Sequence, residues 1–393
     1  MRGEIVAAAG YGFAYLKVFD WSLLVKIAAL GDAHVGRSSY PIANEGINVR
    51  ERDFERSFLM AVDLLLKQNP DLILFLGDIF DFPRPSFRSF RTVQKGIFAI
   101  KESGVPLIAI SGNHDTPRLR GTESPYGALH DVFPQFGLIY KQQYEFFDFG
   151  SVRVHGIPQM MDESDTREAH DLAAANKSLT KVNLVITHPR LKELTPPYAD
   201  INEIELDAEC IKGDFALLGH YHFHAKVKES MWYAGSTDTF SFGDHPEASK
   251  GIALLDTDSG KCSHIPLEGR RPLLDLGAVS ALGHGPKDLE RAIEDQLKGT
   301  PSHAVVRLRL DGVDPLAYRM IDPGVIRQVS DHLLYFKLEP IYLSAAMEVE
   351  LPELESMPAK WTRFVEFQDA SEEVKLKVSK LGIEYINKAI EAS

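Results

Sequence analysis

The sequence predicts an α/β fold built on a largely parallel sheet. Three observations carry that expectation. Short apolar runs alternate with stretches of helical periodicity. The runs are short and mostly apolar, as in buried strands. Five of them end on Asp32, Asp78, Asn113, His188 or His220, and in four cases a Gly stands just before.

Taken in order, Leu23 to Leu30 reads as the first strand and is ended by Gly31-Asp32. Asp53 to Gln68 places Phe54, Phe58, Ala61, Leu65 and Leu66 at helical spacing. Leu72 to Leu76 is a second strand, ended by Gly77-Asp78, and Ser86 to Ser103 a helix capped by Gly104. Pro106 to Ile110, Val182 to Thr187 and Phe215 to Leu218 are further strands, leading to Asn113, His188 and His220. In open α/β sheets, ligands bind beyond the carboxyl ends of the strands. A Gly there lets the backbone turn and approach a ligand.

After Glu268 the texture changes. Arg270-Arg271-Pro272 reads as a junction, Pro286 to Leu297 as a helix, and Ala304 to Leu310 as a strand. Asp322 to Val329 is a short helix with Pro323 in its first turn, and Tyr335 to Leu343 a strand. This is a small α+β region. Glu350 to Pro358 reads as a linker, and Asp369 to Ala392 as a terminal helix with Asp369 and Glu372 as a capping box. The alternating Val374 to Val378 run and Gly382 both work against that helix. Four parts are therefore expected: an extension over 1–24, a main domain over 25–266, a capping domain over 267–349, and a linker with a helix over 350–393.

The chain has 393 residues, 44% hydrophobic and 25% charged, with net charge −13. It can bury a large core. It is not a protein coated in basic surface for non-specific nucleic-acid binding. A local basic rim and bound cations could still serve a nuclease. Cys210 and Cys262 are too few for a disulfide framework and suit a reducing, cytoplasmic setting. No apolar run is long enough for a membrane helix. The stretch from Met1 to Tyr15 faintly resembles a signal peptide, but its charged start is thin and no small-residue cleavage site follows; an N-terminal extension is the preferred reading.

Four short motifs carry the chemistry: Asp32-Ala-His34, Gly77-Asp78-Ile-Phe-Asp81, Gly112-Asn113-His114-Asp115 and Gly219-His220-Tyr-His222, with His188 between the last two. Singly, each would pass for a helix cap or a core histidine. Together, Asp32, His34, Asp78, Asn113, His188, His220 and His222 form a set too costly to bury without a partner. A pair of divalent cations supplies one. Asp, His and Asn without thiolate suit manganese first, then iron or zinc, with magnesium less apt. Asp78 is the best candidate for a bridging carboxylate. Two ions about 3.5–4 Å apart can activate water and stabilise an in-line displacement at phosphorus.

This motif series resembles the calcineurin-like metallophosphoesterase superfamily, and more narrowly the SbcD-type exonucleases. The supporting stretches are GDAHVG at 31–36, LFLGDIFD at 74–81, ISGNHD at 110–115, LLGHYHFH at 217–224 and YAGSTDTFSFGD at 233–244, followed by Lys250-Gly251. The last stretch points to the nuclease branch. The resemblance implies a four-layer αββα sandwich with the small α+β region as a cap. It implies Asp32, His34, Asp78 and His222 around one ion, and Asp78, Asn113, His188 and His220 around the other. His114 would face the scissile phosphate as a proton donor, with Asp115 orienting it. Asp81 would be an outer support or a local cap, and His224 a solvated strand residue. The resemblance further implies a DNA substrate, a coiled-coil ATPase of the SbcC type docked on the C-terminal helix, and a homodimer. A stand-alone phosphodiesterase and a catalytically silent scaffold are the competing readings.

DNA contacts are expected from Arg84, Arg88, Arg91 and Lys95, which share a helix face, and from Arg118 and Arg120. Phe82, Phe87 and Phe90 are expected in the core. Residues 268–393 hold 16 basic and 21 acidic side chains, so no charge-dominated DNA face is expected there.

Overall fold

The computed structural model describes residues 6–7, 25–119, 122–194, 204–244, 249–342, 357–366 and 371–391. Most of the expected N-terminal extension, most of the linker, Arg120 and the capping residue Asp369 lie outside them.

Two sheets stack face to face with helices on both outer surfaces, the four-layer αββα sandwich. The first sheet runs in the order Lys261–Pro266, Gly251–Asp256, Lys26–Leu30, Leu72–Leu76, Leu107–Ile110, Gly137–Ile139. Its last four strands are parallel. The second sheet centres on Val152–Ile157, Val182–Thr187, Phe215–Leu218 and Met231–Tyr233, all parallel. Antiparallel strands flank these four: Ala225–Lys228 at one edge, and Glu145–Phe149 followed by Val6–Ala7 at the other.

The period-two geometry of strands explains the layering. Ala28, Leu30, Ile73 and Phe75 face the outer helices and meet Phe58, Val62 and Ile97. Their neighbours Ile27, Ala29, Leu72, Leu74 and Leu76 face the second sheet and meet Val154, Leu184, Ile186 and Leu217. On that sheet, Val185, Ala216 and Leu218 turn outward to Ala169 and Ala173 of the Glu163–Ala175 helix. Each fully buried Leu, Ile or Phe contributes about 1.5–3 kcal/mol of transfer free energy, so sandwiched strands must be apolar on both faces.

The Val49–Lys67 helix starts four residues before the spacing alone indicates, because the Asn48 side chain accepts the N–H groups of Arg50 and Glu51. The Phe87–Ser103 helix has Ser86 at its N-cap and Gly104, at φ 69°, at its end.

The small region is finer than a generic α+β unit. Leu273–Ser280, Val305–Val313 and Tyr335–Tyr342 are all parallel, joined by the Pro286–Leu297, Pro315–Arg319 and Pro323–Val329 helices. Its own core gathers Leu289, Ile293, Leu297, Val306, Leu308 and Leu310. It meets the sandwich through a two-pronged Arg271–Asp53 contact (2.7 and 3.1 Å) and through Arg307, which donates to the carbonyl of Phe242 at 3.1 Å.

At the C-terminus, Met357–Glu366 and Glu372–Glu391 form an antiparallel helix pair. The first helix was not anticipated from the sequence. It also explains Gly382: the Trp361 ring lies so close that any Cβ at 382 would overlap it. Val374, Leu376, Val378, Leu381, Tyr385 and Phe364 leave much of their surface exposed.

Candidate metal centre

The carboxyl ends of the central strands of both sheets converge on one point. The chain leaves them in strained conformations. Asp32, His34, Asp78 and His220 have φ of 51°, 44°, 50° and 95°, the left-handed region that non-glycine residues seldom adopt. Such strain persists only where the surroundings impose it, and it gathers at functional sites. Two glycines make the convergence possible. Gly77 sits at φ 93° beneath His188, and a Cβ at Gly219 would overlap the carbonyl oxygen of Leu76.

The donor atoms of Asp32, His34 and His222 lie within 4.8 Å of one another, as do those of Asp32, Asp78 and His188. Asp78 Oδ2 stands between two imidazoles, 3.5 Å from His34 Nε2 and 3.2 Å from His188 Nε2. Asn113 Oδ1 lies 3.1 Å from His188 Nε2 and 3.3 Å from His220 Nδ1. The seven side chains singled out in the sequence thus form one cluster, with Asp32 as well as Asp78 reaching both of its halves.

The backbone sets the ring orientations. His188 Nδ1 donates to the Leu76 carbonyl at 2.7 Å, which turns Nε2 toward Asp78 and Asn113. His34 Nδ1 lies 2.8 Å from Asp81 Oδ1, which turns its Nε2 inward. A carboxylate behind a histidine is the usual support of a metal-bound imidazole. Asp81 thus supports His34 from outside, and Arg37 steadies it at 3.2 Å.

Three observations show that the residues fit divalent cations. His34 Nε2 is buried and has no hydrogen-bond partner. Burial holds His34 and His222 below the ordinary imidazole range, so both stay neutral and available as ligands. Burial also pushes Asp32 up to about 8. Burial alone would lower His188, but the adjoining Asp78 and Asp32 outweigh it and push it up to about 10. Burial likewise acts to raise Asp78, yet His188 holds it below the usual carboxylate range. Two carboxylates buried this close together call for positive charge beside them, which divalent cations supply.

His114 is half-exposed at the rim of the cluster. Its Nδ1 donates to the Asp81 carbonyl at 3.1 Å, leaving Nε2 free, and its backbone N–H donates to Asp78 Oδ1 at 2.8 Å. Asp115 does not orient the His114 ring, contrary to the expectation from sequence. Its buried carboxylate accepts the N–H groups of Gly112 (2.7 Å) and Ile79 (2.9 Å), tying the two ligand-bearing loops together.

Other expectations also need correction. Arg88 is held in a fork by Glu55 and is not available to a phosphate. Arg84, Arg91 and Arg118 are exposed. Phe82 and Phe87 are exposed rather than core, at 56% and 92%, while Phe90 stacks on Phe80. His224 is half-buried, stacked on His264 at 4.9 Å, rather than solvated.

The 233–251 stretch supplies residues that sequence reasoning did not place. The Phe240 ring stacks on His222 at 3.7 Å and meets His34 edge-on at 4.6 Å. The buried Lys250 ammonium donates to the His222 carbonyl at 2.5 Å and to Asp244 at 2.9 Å. Asp238, fully buried, accepts from Arg50 at 3.1 Å and Ser57 at 2.6 Å. The aromatic and ionic density of this stretch was the visible signal; its role was not.

Residues 25–224, about half of the chain, match the family model of the calcineurin-like phosphoesterases. The chain belongs to that family. This phosphoesterase is also similar to curated relatives named DNA double-strand break repair protein Mre11. That of Methanococcus maripaludis is 25% identical over 262 residues, 63% of this chain and 68% of the relative. That of Saccharolobus solfataricus is 25% identical over 241 residues, 59% of this chain and 60% of the relative. That of Sulfolobus acidocaldarius is 22% identical over 304 residues, 74% and 76% of the two chains. The match to the Saccharolobus relative thus covers less than two thirds of that protein. Among the described residues no helix is long and apolar enough to cross a membrane.

Proposed function

We propose that this phosphoesterase is a two-metal-ion DNA nuclease. The observation that carries the reading is the orphaned, buried Nε2 of His34 within a cluster of carboxylates and imidazoles, beside an exposed His114 that is not needed as a ligand. Asp32, His34, Asp78 and His222 would hold one ion, and Asp78, Asn113, His188 and His220 the other, with manganese the first candidate. Divalent cations there supply the positive charge that polarises a phosphoryl group and lowers the pKa of an attacking water.

The residues of the chain do the rest. Asp81 and the Leu76 carbonyl hold His34 and His188 with Nε2 inward. Asp115 keeps the 78–80 and 112–115 turns in register. His114 keeps its Nδ1 proton on the Asp81 carbonyl, so it would donate to the leaving oxygen from Nε2 as the doubly protonated imidazolium. Arg84 and Arg118 line the surface beside His114 and suit a phosphate backbone, and the exposed Arg91 would extend that track. The names of the Mre11 relatives support DNA as the substrate.

The domain reading follows: 25–266 as nuclease, 267–349 as cap and 350–393 as partner-binding segment. The exposed apolar residues of the C-terminal helix pair suit a helix-in-groove contact with an SbcC-type ATPase. Homodimerisation belongs to the same proposal.

The test is incubation of the purified chain with labelled single- and double-stranded DNA and manganese, magnesium or chelator. A chelator-sensitive ladder that is lost in His114→Ala supports the proposal. Turnover of a small phosphodiester with DNA left intact would replace it by a stand-alone phosphodiesterase. A folded chain that binds no metal and cleaves neither substrate would be a scaffold.

A further inference from the structure

Beside His114 the surface opens into a cleft of about 590 Å³, within the size range of small-molecule sites. Two loops form it, one following each of the strands that deliver Asp78 and Asn113. Its walls are unusually apolar for a surface next to a phosphate centre: Phe82, Pro83, Pro117 and Leu119. Phe82 is 56% exposed and Leu119 73% exposed, so neither is accounted for by the core. Arg84 and Arg118 also line it. No ion pair holds either arginine among the described residues, unlike Arg88, whose fork to Glu55 removes it from use.

A phosphodiester track alone needs cations, not an aromatic ring and two prolines. A free inorganic phosphate would have no use for those walls. An apolar slot with cationic edges, sharing His114 with the phosphate centre, suits a flat heteroaromatic ring joined to a phosphate. We propose that this cleft holds the nucleobase next to the scissile phosphate, stacked on Phe82, with Arg84 and Arg118 on the flanking phosphates. A base paired inside a duplex cannot enter a side cleft, so the strand must be unpaired at that nucleotide when it is cut. The enzyme therefore selects frayed ends or single strands by base capture, in addition to backbone charge. This rests on the reading of the site as a DNA phosphodiesterase.

The test walks one abasic residue across the cleaved bond of a single-stranded oligonucleotide. Manganese-dependent kcat/KM is measured for wild type, Phe82→Ala and Phe82→Trp. Because Phe82 is exposed, both variants should melt as wild type does. At one position the abasic residue should slow wild type by about 5- to 150-fold, the span of one base–aromatic stack. Phe82→Ala should lose as much on the intact strand, lose little more on that abasic strand, and be restored by Phe82→Trp. A mismatch at the same nucleotide of a duplex should speed wild type more than Phe82→Ala. If Phe82→Ala is fully active on DNA, or loses the same factor on every abasic strand as on the intact one, the base cleft is refuted while the nuclease reading stands. If wild type turns over a small phosphodiester but leaves all DNA intact, both fall together.

Discussion

Replacing Asp81 by Ala tests how far the metal centre depends on a residue that is not itself a proposed ligand. Asp81 Oδ1 is 2.8 Å from His34 Nδ1, and the pair is buried. Removing the carboxylate takes away the acceptor that fixes the His34 tautomer and leaves a buried N–H unpaired. A hydrogen bond of charged type is worth about 1.5–3 kcal/mol, which is about 12- to 140-fold in an equilibrium constant. The loss typical for partners of metal-bound histidines is about 10- to 100-fold. Arg37, the other partner, is partly exposed at 30% and adds little. Calorimetric titration with manganese should show one of two binding events weakened by about 10- to 100-fold. The other event should hardly change. Asp81→Asn keeps an acceptor oxygen and should fall between Asp81→Ala and wild type. The reasoning fails if a folded Asp81→Ala chain takes up both ions with wild-type affinity.

Four further outcomes follow. Asp78→Ala should lose both ions, since Asp78 Oδ2 lies between His34 and His188; elemental analysis finding both at normal occupancy would refute the bridge. With Asp32 pushed to about 8 and His188 to about 10, metal uptake near neutral pH should release at least one proton, and affinity should rise with pH; calorimetry in buffers of different ionisation enthalpy that detects no release would refute this. His170 is buried with its Nε2 unpartnered and burial pushes it down to about 4, so the unfolded chain binds its proton first as pH falls below 6.5. Stability should therefore decline by up to about 3 kcal/mol between those two pH values, read by denaturant titration, and His170→Leu should flatten that slope. Lys250→Met leaves the Asp244 carboxylate without its buried partner and should cost about 3 kcal/mol by the same assay.

Much of this molecule was legible in its sequence because the signals are local. The Val182–Thr187 and Phe215–Leu218 strands and the Pro286–Leu297 helix coincide with their sequence boundaries, since apolar runs and helical periodicity need no distant partner. Elements with mixed patterns were missed. The Glu145–Phe149 and Val152–Ile157 hairpin strands interleave charged with apolar residues, and Met357–Glu366 packs on the Glu372–Glu391 helix.

By itself, the sequence determined the chemistry of the centre: which donor types are present, that they follow buried strands, and that thiolate is absent. The pattern of residues along each strand decides that much, because a strand end exposes whatever follows it. Only the tertiary structure decided the supports. Asp81 behind His34, the Leu76 carbonyl behind His188, and Phe240 against His222 join residues 47, 112 and 18 positions apart. The same is true of Arg88, removed from the rim by Glu55, and of Phe82, left in solvent beside His114. A side chain's partners depend on which faces the folded layers bring together, and no local periodicity encodes that meeting.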